Sequence, residues 1–474
     1  MRLSARLSDF FMGKLYPVVL AVLVTVGHLF KCEMITATVI VMLLAVQCCF
    51  CDSIRPAFFL VVTFTFQIPL EHSPAYNASD YYFTGWRLTV VVILAVIVAA
   101  SVITFVVRRA LWRRLSIKHT KIFPALLVLA VAFLTNGIFS ETWSVRGFIF
   151  GAAEAAFFLF LTLLFYLGIS EKESEFDLLD YVSYIALIIA LVILVQMADL
   201  FIFGDAIQNG AIQKGNVNLG WATCNPLGSI LLPLIPALFY GAMTKRNGWL
   251  YFIVASAVYF AAICTCSRNA LLFGTLIYLL CLLVALVVPS ELKTRLIFAA
   301  IIVAGLAVLA AAFFLFFDEI KLFFRSYVNQ GASDSGRFGI WKMAWRQFLD
   351  NIAFGAGFFT SDASGVHVVV SGVPTMVHNT PLEFLSAGGV FGFLAYMYYR
   401  AETIRPMLHK PTLGKLMLGL SHLVLVAQGL LDVFVLSFYT MFFPMVALAV
   451  VLRIYEMQTE DSYKFAPIND SFRM

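Results

Sequence analysis

The chain has 474 residues, 62% of them hydrophobic and 12% charged, and its mean hydropathy is +0.92. Soluble domains carry about 25% charged residues, so this composition excludes a soluble enzyme and predicts an integral membrane protein. The formal charge of +5 is accounted for by short loops between apolar stretches and gives no reason to expect nucleic-acid binding.

A helix needs about 20 residues to cross the hydrocarbon core. Apolar stretches of about that order occur at 16–30, 34–50, 56–70, 88–107, 122–139, 148–169 and 179–203, and again at 226–243, 250–265, 270–288, 296–317, 381–399, 416–434 and 439–452. They predict an all-α polytopic fold of about fourteen transmembrane helices. Residues 1–474 form a single integral membrane domain on this reading, with no linker and no internal repeat. The third stretch is short and bounded by Pro56 and Pro69, a pattern that also suits a re-entrant segment.

Lys and Arg are enriched in short cytoplasmic loops. Placing the N-terminus inside puts Arg2, Arg6 and Lys14 there, then Arg108 through Lys121, Lys245 and Arg246, Lys293 and Arg295, and Arg400 through Lys415. The acidic EKESEFD loop after Ser170 falls on the same side, but acids weigh little in this rule. With an even number of spans both termini are cytoplasmic. The long polar segment 318–380 is then one large extracytoplasmic loop, where a polytopic protein keeps its chemistry.

Two other outer loops have length. Residues 71–87 are rich in aromatics, as interfacial segments are. Residues 204–225 (GDAIQNGAIQKGNVNLGWATCN) are rich in Gly, Asn and Gln, which turn the chain and bond hydroxyls. The eight cysteines show no spacing for a disulfide framework or a metal site, and no cleavable signal is evident after Arg2 to Lys14. The tail after Arg453 is polar and expected to be disordered.

Within the large loop, Ile320, Phe323, Phe324 and Tyr327 fall at helical spacing, as do Phe338, Trp341, Trp345, Phe348 and Leu349. Both stretches are expected as helices resting their apolar sides on the outer leaflet, with Lys342 and Arg346 pointing elsewhere.

His378 has the most telling context for chemistry. Thr380-Pro381-Leu382-Glu383 reads as a capping box with Pro at the first helical position, so a helix begins just after the histidine. The positive end of that helix dipole disfavours a second positive charge and leaves the ring as a proton acceptor. His367 has no such helix start beside it. Arg268, in TCSRNALL, lies at the outer junction of two spans, where a guanidinium is costly unless it is used. Its bland alternative is snorkelling to lipid phosphate.

The loop balances Lys321, Arg325, Arg337, Lys342 and Arg346 against Asp318, Glu319, Asp334, Asp350 and Asp362, so it is no general basic patch. An anion site there must come from a few placed arginines, with Arg337 and Arg325 the candidates, although Asp334 also suits a structural pair with Arg337. No Walker loop, dinucleotide fingerprint or zinc motif occurs. The intramembrane acids are few: Glu154, Asp199 and Asp432.

SRNA at a span boundary, then SGRFGIW, then FGAGFF, then VHNTPLEFLSAGGVFG opening a span, in that order over residues 265–393, resembles the O-antigen ligase and polymerase superfamily of bacterial envelopes. Its members are membrane glycosyltransferases of the GT-C type. The resemblance implies a glycan donor on an undecaprenyl diphosphate carrier, an acceptor glycan or lipid-glycan, and a place in the bacterial cytoplasmic membrane. It implies that Arg268 and Arg337 contact the diphosphate and that His378 acts on the acceptor hydroxyl. It also implies inversion at the anomeric carbon, with no metal or other cofactor. Arg325 and Asn379 are supporting candidates. Polymerase and ligase are not separated at this level.

Two rival classes are weighed against this. A lipid-linked oligosaccharide flippase or other transporter also has about fourteen spans, but it predicts internal repeats, a charged central cavity and short outer loops. A receptor or scaffold leaves Arg268 without a role.

Overall fold

The computed structural model describes residues 2–64, 84–115, 122–141, 143–288, 292–330, 336–358, 368–370, 373–434 and 438–464. It is 80% helical with almost no strand. In lipid each backbone N–H and C=O must be satisfied within the protein, and a helix does this segment by segment.

In chain order the helices are α1 (Arg2–Met12), α2 (Leu15–Phe30), α3 (Glu33–Phe50), α4 (Arg55–Phe64), α5 (Gly85–Arg109), α6 (Ile122–Thr135) and α7 (Val145–Ala156). A π turn, Phe157–Leu161, joins α7 to α8 (Thr162–Gly168). Then follow α9 (Glu175–Phe203), a small hairpin of β1 (Ile207–Gln208) and β2 (Ala211–Ile212), α10 (Cys224–Leu231), α11 (Leu234–Thr244), α12 (Gly248–Cys264), α13 (Arg268–Val287) and α14 (Leu292–Leu315). The segment expected as a large loop holds α15 (Phe317–Phe323), α16 (Arg325–Gln330), α17 (Arg337–Asp350) and a hairpin of β3 (Val368–Val370) and β4 (Val373–Thr375). The chain closes with α18 (Thr380–Leu408), α19 (Leu413–Gln428) and α20 (Phe438–Lys464).

Eight helical stretches among the described residues are long and apolar enough to cross a membrane, and α1 with α2, bent at 68°, would make a ninth. Three further apolar helices, α6, α12 and α19, are shorter. The chain is therefore a multi-span helical membrane protein. Its centre is built by α9, the joined α10 and α11, and α20, whose side chains are mostly buried, whereas only 6% of the α14 span is buried and its flanks face outward.

One local feature sets the geometry near the candidate site. Helix α18 breaks at Gly389, whose φ of +65° and ψ of −165° no helix tolerates. The break would orphan the carbonyls of Ser386 and Ala387 and the N–H groups of Val390 and Phe391. Residues 352–357, which run into the FGAGFF turn, supply a partner to each. Ala356 and Gly357 donate to Ser386 O (3.0 Å) and Ala387 O (2.8 Å), and Val390 and Phe391 donate to Ile352 O (2.8 Å) and Ala353 O (3.2 Å). Such closeness requires glycine on both sides. A Cβ on Gly389 would lie 2.5 Å from the Ala353 carbonyl, and one on Gly355, itself at φ +67°, 2.2 Å from Ala387. The turn is further tied to the end of α6, where Gly137 donates to Phe354 O (2.9 Å) and Asn136 Oδ1 accepts from Phe358 (2.7 Å).

Two expectations for the loop need correction. Phe323, Phe324 and Tyr327 do not rest on lipid; they pack against the protein core. Tyr327 donates its hydroxyl proton to the Ile263 carbonyl at the end of α12 (2.9 Å). The phenol adds a second donor to a helix-end carbonyl that already accepts from the Cys266 N–H (3.0 Å), a partner which a lipid surface cannot offer. Helix α17 divides its faces: Phe338, Trp345 and Leu349 are exposed, while Ala344 and Phe348 are buried. Asp334 and His367 lie outside the described residues.

Gly389→Ala should destabilise the protein by about 2–4 kcal/mol, from overpacking and a left-handed backbone conformation. Gly305→Ala, on exposed α14 with nothing near its Cβ position, should stay within about 0.5 kcal/mol of the parent. Thermal unfolding of the purified protein in detergent distinguishes the two.

Candidate functional site

Three helices begin around one cleft of about 680 Å3. Arg268 is the first residue of α13, Arg337 the first of α17, and His378 lies two residues ahead of α18. All three line the cleft. Helix starts present unpaired backbone N–H groups and the positive end of the helix dipole, so an anion in this cleft is favoured before any side chain is counted. Lys214, from the Gly- and Asn-rich segment after α9, adds a third cationic side chain to the two arginines, and among the described residues no Asp or Glu lines the space.

Each start is shaped locally. Cys266 adopts φ +53° and turns the chain from α12 into α13, where the Ser267 hydroxyl oxygen accepts from the Ala270 N–H. His378 is likewise left-handed, at φ +53°, a conformation that costs an L-residue about 1–2 kcal/mol and persists only where its surroundings impose it. Those surroundings are specific. Before it, Val377 is buried against Ala344 and accepts a hydrogen bond from Trp341 Nε1 (2.9 Å). After it, Asn379 caps α18, its Oδ1 accepting from the Leu382 N–H (2.9 Å).

The cap therefore sits one residue earlier than Thr380, where the sequence places it. Asn is the stronger N-cap, worth about 1 kcal/mol over Ala, and Thr380 donates its hydroxyl instead to Asp432 O (3.0 Å). Asn379, expected as a supporting residue, spends its side chain on backbone: its other end donates to Leu430 O (2.9 Å).

The residue that sequence reading left aside is Asp432. It was visible only as an acid at the end of an apolar stretch, 54 positions from His378. In the fold its Oδ1 lies 2.9 Å from His378 Nδ1, with the Asp432 side chain 6% exposed and the His378 side chain 30% exposed. An ionised carboxylate can only accept, so beside one Nδ1 is the donor, and a neutral ring then presents its lone pair at Nε2. The same Oδ1 accepts from the Val433 N–H (3.0 Å), which fixes the carboxylate.

The segment Gln428–Asp432 after α19 binds both sides of the cleft. Asn269 of α13 donates to Gln428 O (3.1 Å), Thr380 N–H donates to Gly429 O (2.7 Å), and Asn379, Thr380 and His378 reach Leu430 and Asp432. Gly429 is in close contact here, since a Cβ would stand 2.9 Å from Thr380 Oγ1. Arg325, the remaining sequence candidate, does not line the main cleft. It lines an adjoining recess of about 170 Å3, which shares Gln213, Ser326 and Asn329 with the cleft.

Chemically, the cleft gathers three cationic side chains and an imidazole bonded through Nδ1 to a carboxylate. No group of three or more His, Cys, Asp or Glu that could hold a metal ion occurs among the described residues.

No curated protein matches the chain. Residues 231–397, a stretch containing Arg268, Arg337 and His378 but neither Lys214 nor Asp432, match the family described as O-Antigen ligase. This match over about a third of the chain supports the resemblance to the O-antigen ligase and polymerase superfamily.

Proposed function

We propose that the protein is a membrane glycosyltransferase that moves a glycan from an undecaprenyl-diphosphate-linked donor to an acceptor hydroxyl, in polymerising or ligating a surface polysaccharide. The observation that carries this reading is the shared cleft of Arg268, Arg337 and Lys214 with His378, backed by Asp432. The cations bind the diphosphate, with the arginines suited to it by their planar forks. The acceptor hydroxyl gives its proton to His378 Nε2 as its oxygen attacks the anomeric carbon. The bond from that carbon to the diphosphate oxygen breaks, and the electron pair leaves on the lipid diphosphate. Attack from the side opposite the leaving group inverts the centre. Asp432 steadies the imidazolium formed, and the cations and helix starts stabilise the departing charge without calling for a divalent ion.

On this reading the chain has about fourteen spans, residues 1–474 form one domain, and both termini are cytoplasmic. The segment 318–380 and the cleft face away from the cytoplasm of a bacterial cell. A flippase reading gives the His378–Asp432 pair no proton to take, so we rank it second. Release of lipid diphosphate, measured against simple translocation of the donor in vesicles, separates the two.

In vesicles supplied with lipid-linked donor and acceptor, His378→Ala should lower kcat by about 10²–10⁴-fold, and Arg268→Ala and Arg337→Ala should each abolish product. Full activity in all three would overturn the assignment. Asp432→Asn presents an amide that donates to Nδ1 and forces the proton onto Nε2. It should cost kcat at least about 10²-fold with little change in KM.

Lys214→Ala should mainly raise the donor KM. One charge-assisted contact is worth about 1.5–3 kcal/mol, or about 10–100-fold, and Lys214→Arg should recover most of it. Steady-state kinetics with donor as the varied substrate reads this directly.

A further inference from the structure

The recess beside the main cleft has its own chemistry. It is formed where the β1–β2 hairpin faces α16, and it holds about 170 Å3. The hairpin turns at Asn209-Gly210, with Ile207 paired to Ile212 and Gln208 to Ala211. Gly210 abuts Leu322 of α15 at the tip, and Ser326 of α16 donates to Ile212 O (2.5 Å). The hairpin and α16 are thereby locked together, and the recess between them is a built feature. Asn216, donating to Asp205 O (3.0 Å), and Trp221, donating to Gln196 Oε1 (2.9 Å), fix the rest of the segment to the bundle.

Its walls carry the side chains of Gln208, Asn209, Gln213, Asn329 and Ser326, together with Arg325. Carboxamides and a hydroxyl both donate and accept, which suits sugar hydroxyls, groups of the same double character. Arg325 is exposed at this recess, and among the described residues it forms no ion pair and no Asp or Glu lines the space. A single planar guanidinium amid neutral polar groups is matched by a single planar carboxylate. The lining lacks His378, Arg268 and Arg337, so the recess holds a unit beside the reacting bond.

The geometry points to a subsite for an acidic sugar: the recess of Gln208, Asn209, Gln213, Arg325 and Asn329 binds a carboxylate-bearing residue of the glycan substrate. This rests on the cleft being the site of glycosyl transfer. The acidic residue belongs either to the donor glycan or to the acceptor.

Ligand-observed saturation-transfer NMR on the full chain in lipid nanodiscs tests binding without turnover, using D-glucuronate, D-glucose and D-glucose 6-phosphate as probes. Glucuronate should bind about tenfold more tightly than glucose, a difference of the size a charge-assisted contact gives. Arg325→Gln should erase that preference and His378→Ala should leave it. Equal binding of glucuronate and glucose overturns the proposal, as does a preference that survives Arg325→Gln. Glucose 6-phosphate binding as tightly as glucuronate also overturns it, because the recess would then be an extension of the phosphate cleft.

In the vesicle assay, a uronate placed in the donor or in the acceptor should lower the KM of the partner that carries it, and no effect from either position overturns the proposal. A glucuronate preference that persists with no turnover for any pair sinks the glycosyltransferase reading and leaves the recess standing.

Discussion

The candidate site depends on five consecutive residues, of which only the last, Asp432, bears on its chemistry. Gln428 to Asp432, the last residue of α19 and the turn after it, accept hydrogen bonds from the start of α13 and from the start of α18, and they supply the carboxylate that holds the histidine. The turn thereby ties the two helix starts to one another. In a membrane the apolar effect does not draw helices together, because lipid is as greasy as the helix. Registration between spans therefore falls to hydrogen bonds of this kind and to close backbone approach. Each such bond is worth only about 1 kcal/mol, but together they fix the tilt of α13 and α18 at the end where it matters.

The second device is the backbone clasp between the FGAGFF turn and the broken helix α18. It satisfies the four groups that the Gly389 break releases and permits a sharp change of direction inside an apolar segment. The clasp also explains why the loop segment returns to the bundle at α6. The position of α17, and with it Arg337, is then set from two sides: by the clasp at its C-terminal end, and by the Trp341 bond to Val377 in its middle.

Much of this was legible in the residue string. Apolar periodicity gives the helical membrane fold, and the polar interruption with its arginines singles out residues that the fold brings together, since Arg268, Arg337 and His378 line one cleft. The helix start after His378 was legible too, although the cap is Asn379. Asp432 and Lys214 were not, for a physical reason. They reach the cleft through tertiary packing of distant segments, and nothing within a few residues of either one signals its partner. The aromatic residues of 320–327 misled for the opposite reason. Helical spacing shows that Phe323 and Tyr327 share a face, but not whether that face meets lipid or the end of α12.

The left-handed His378 and its distant Asp432 also set an order of events in biosynthesis. Chains emerge from the N-terminus, so Lys214 and Arg268 are present early, Arg337 and His378 later, and Asp432 last, after α19 has been made. On the proposed reading, a partly inserted chain could display its cationic half to a charged lipid before its base has been oriented. The larger part of the catalytic power would then arrive late, once α19 has been made and Asp432 can orient the histidine.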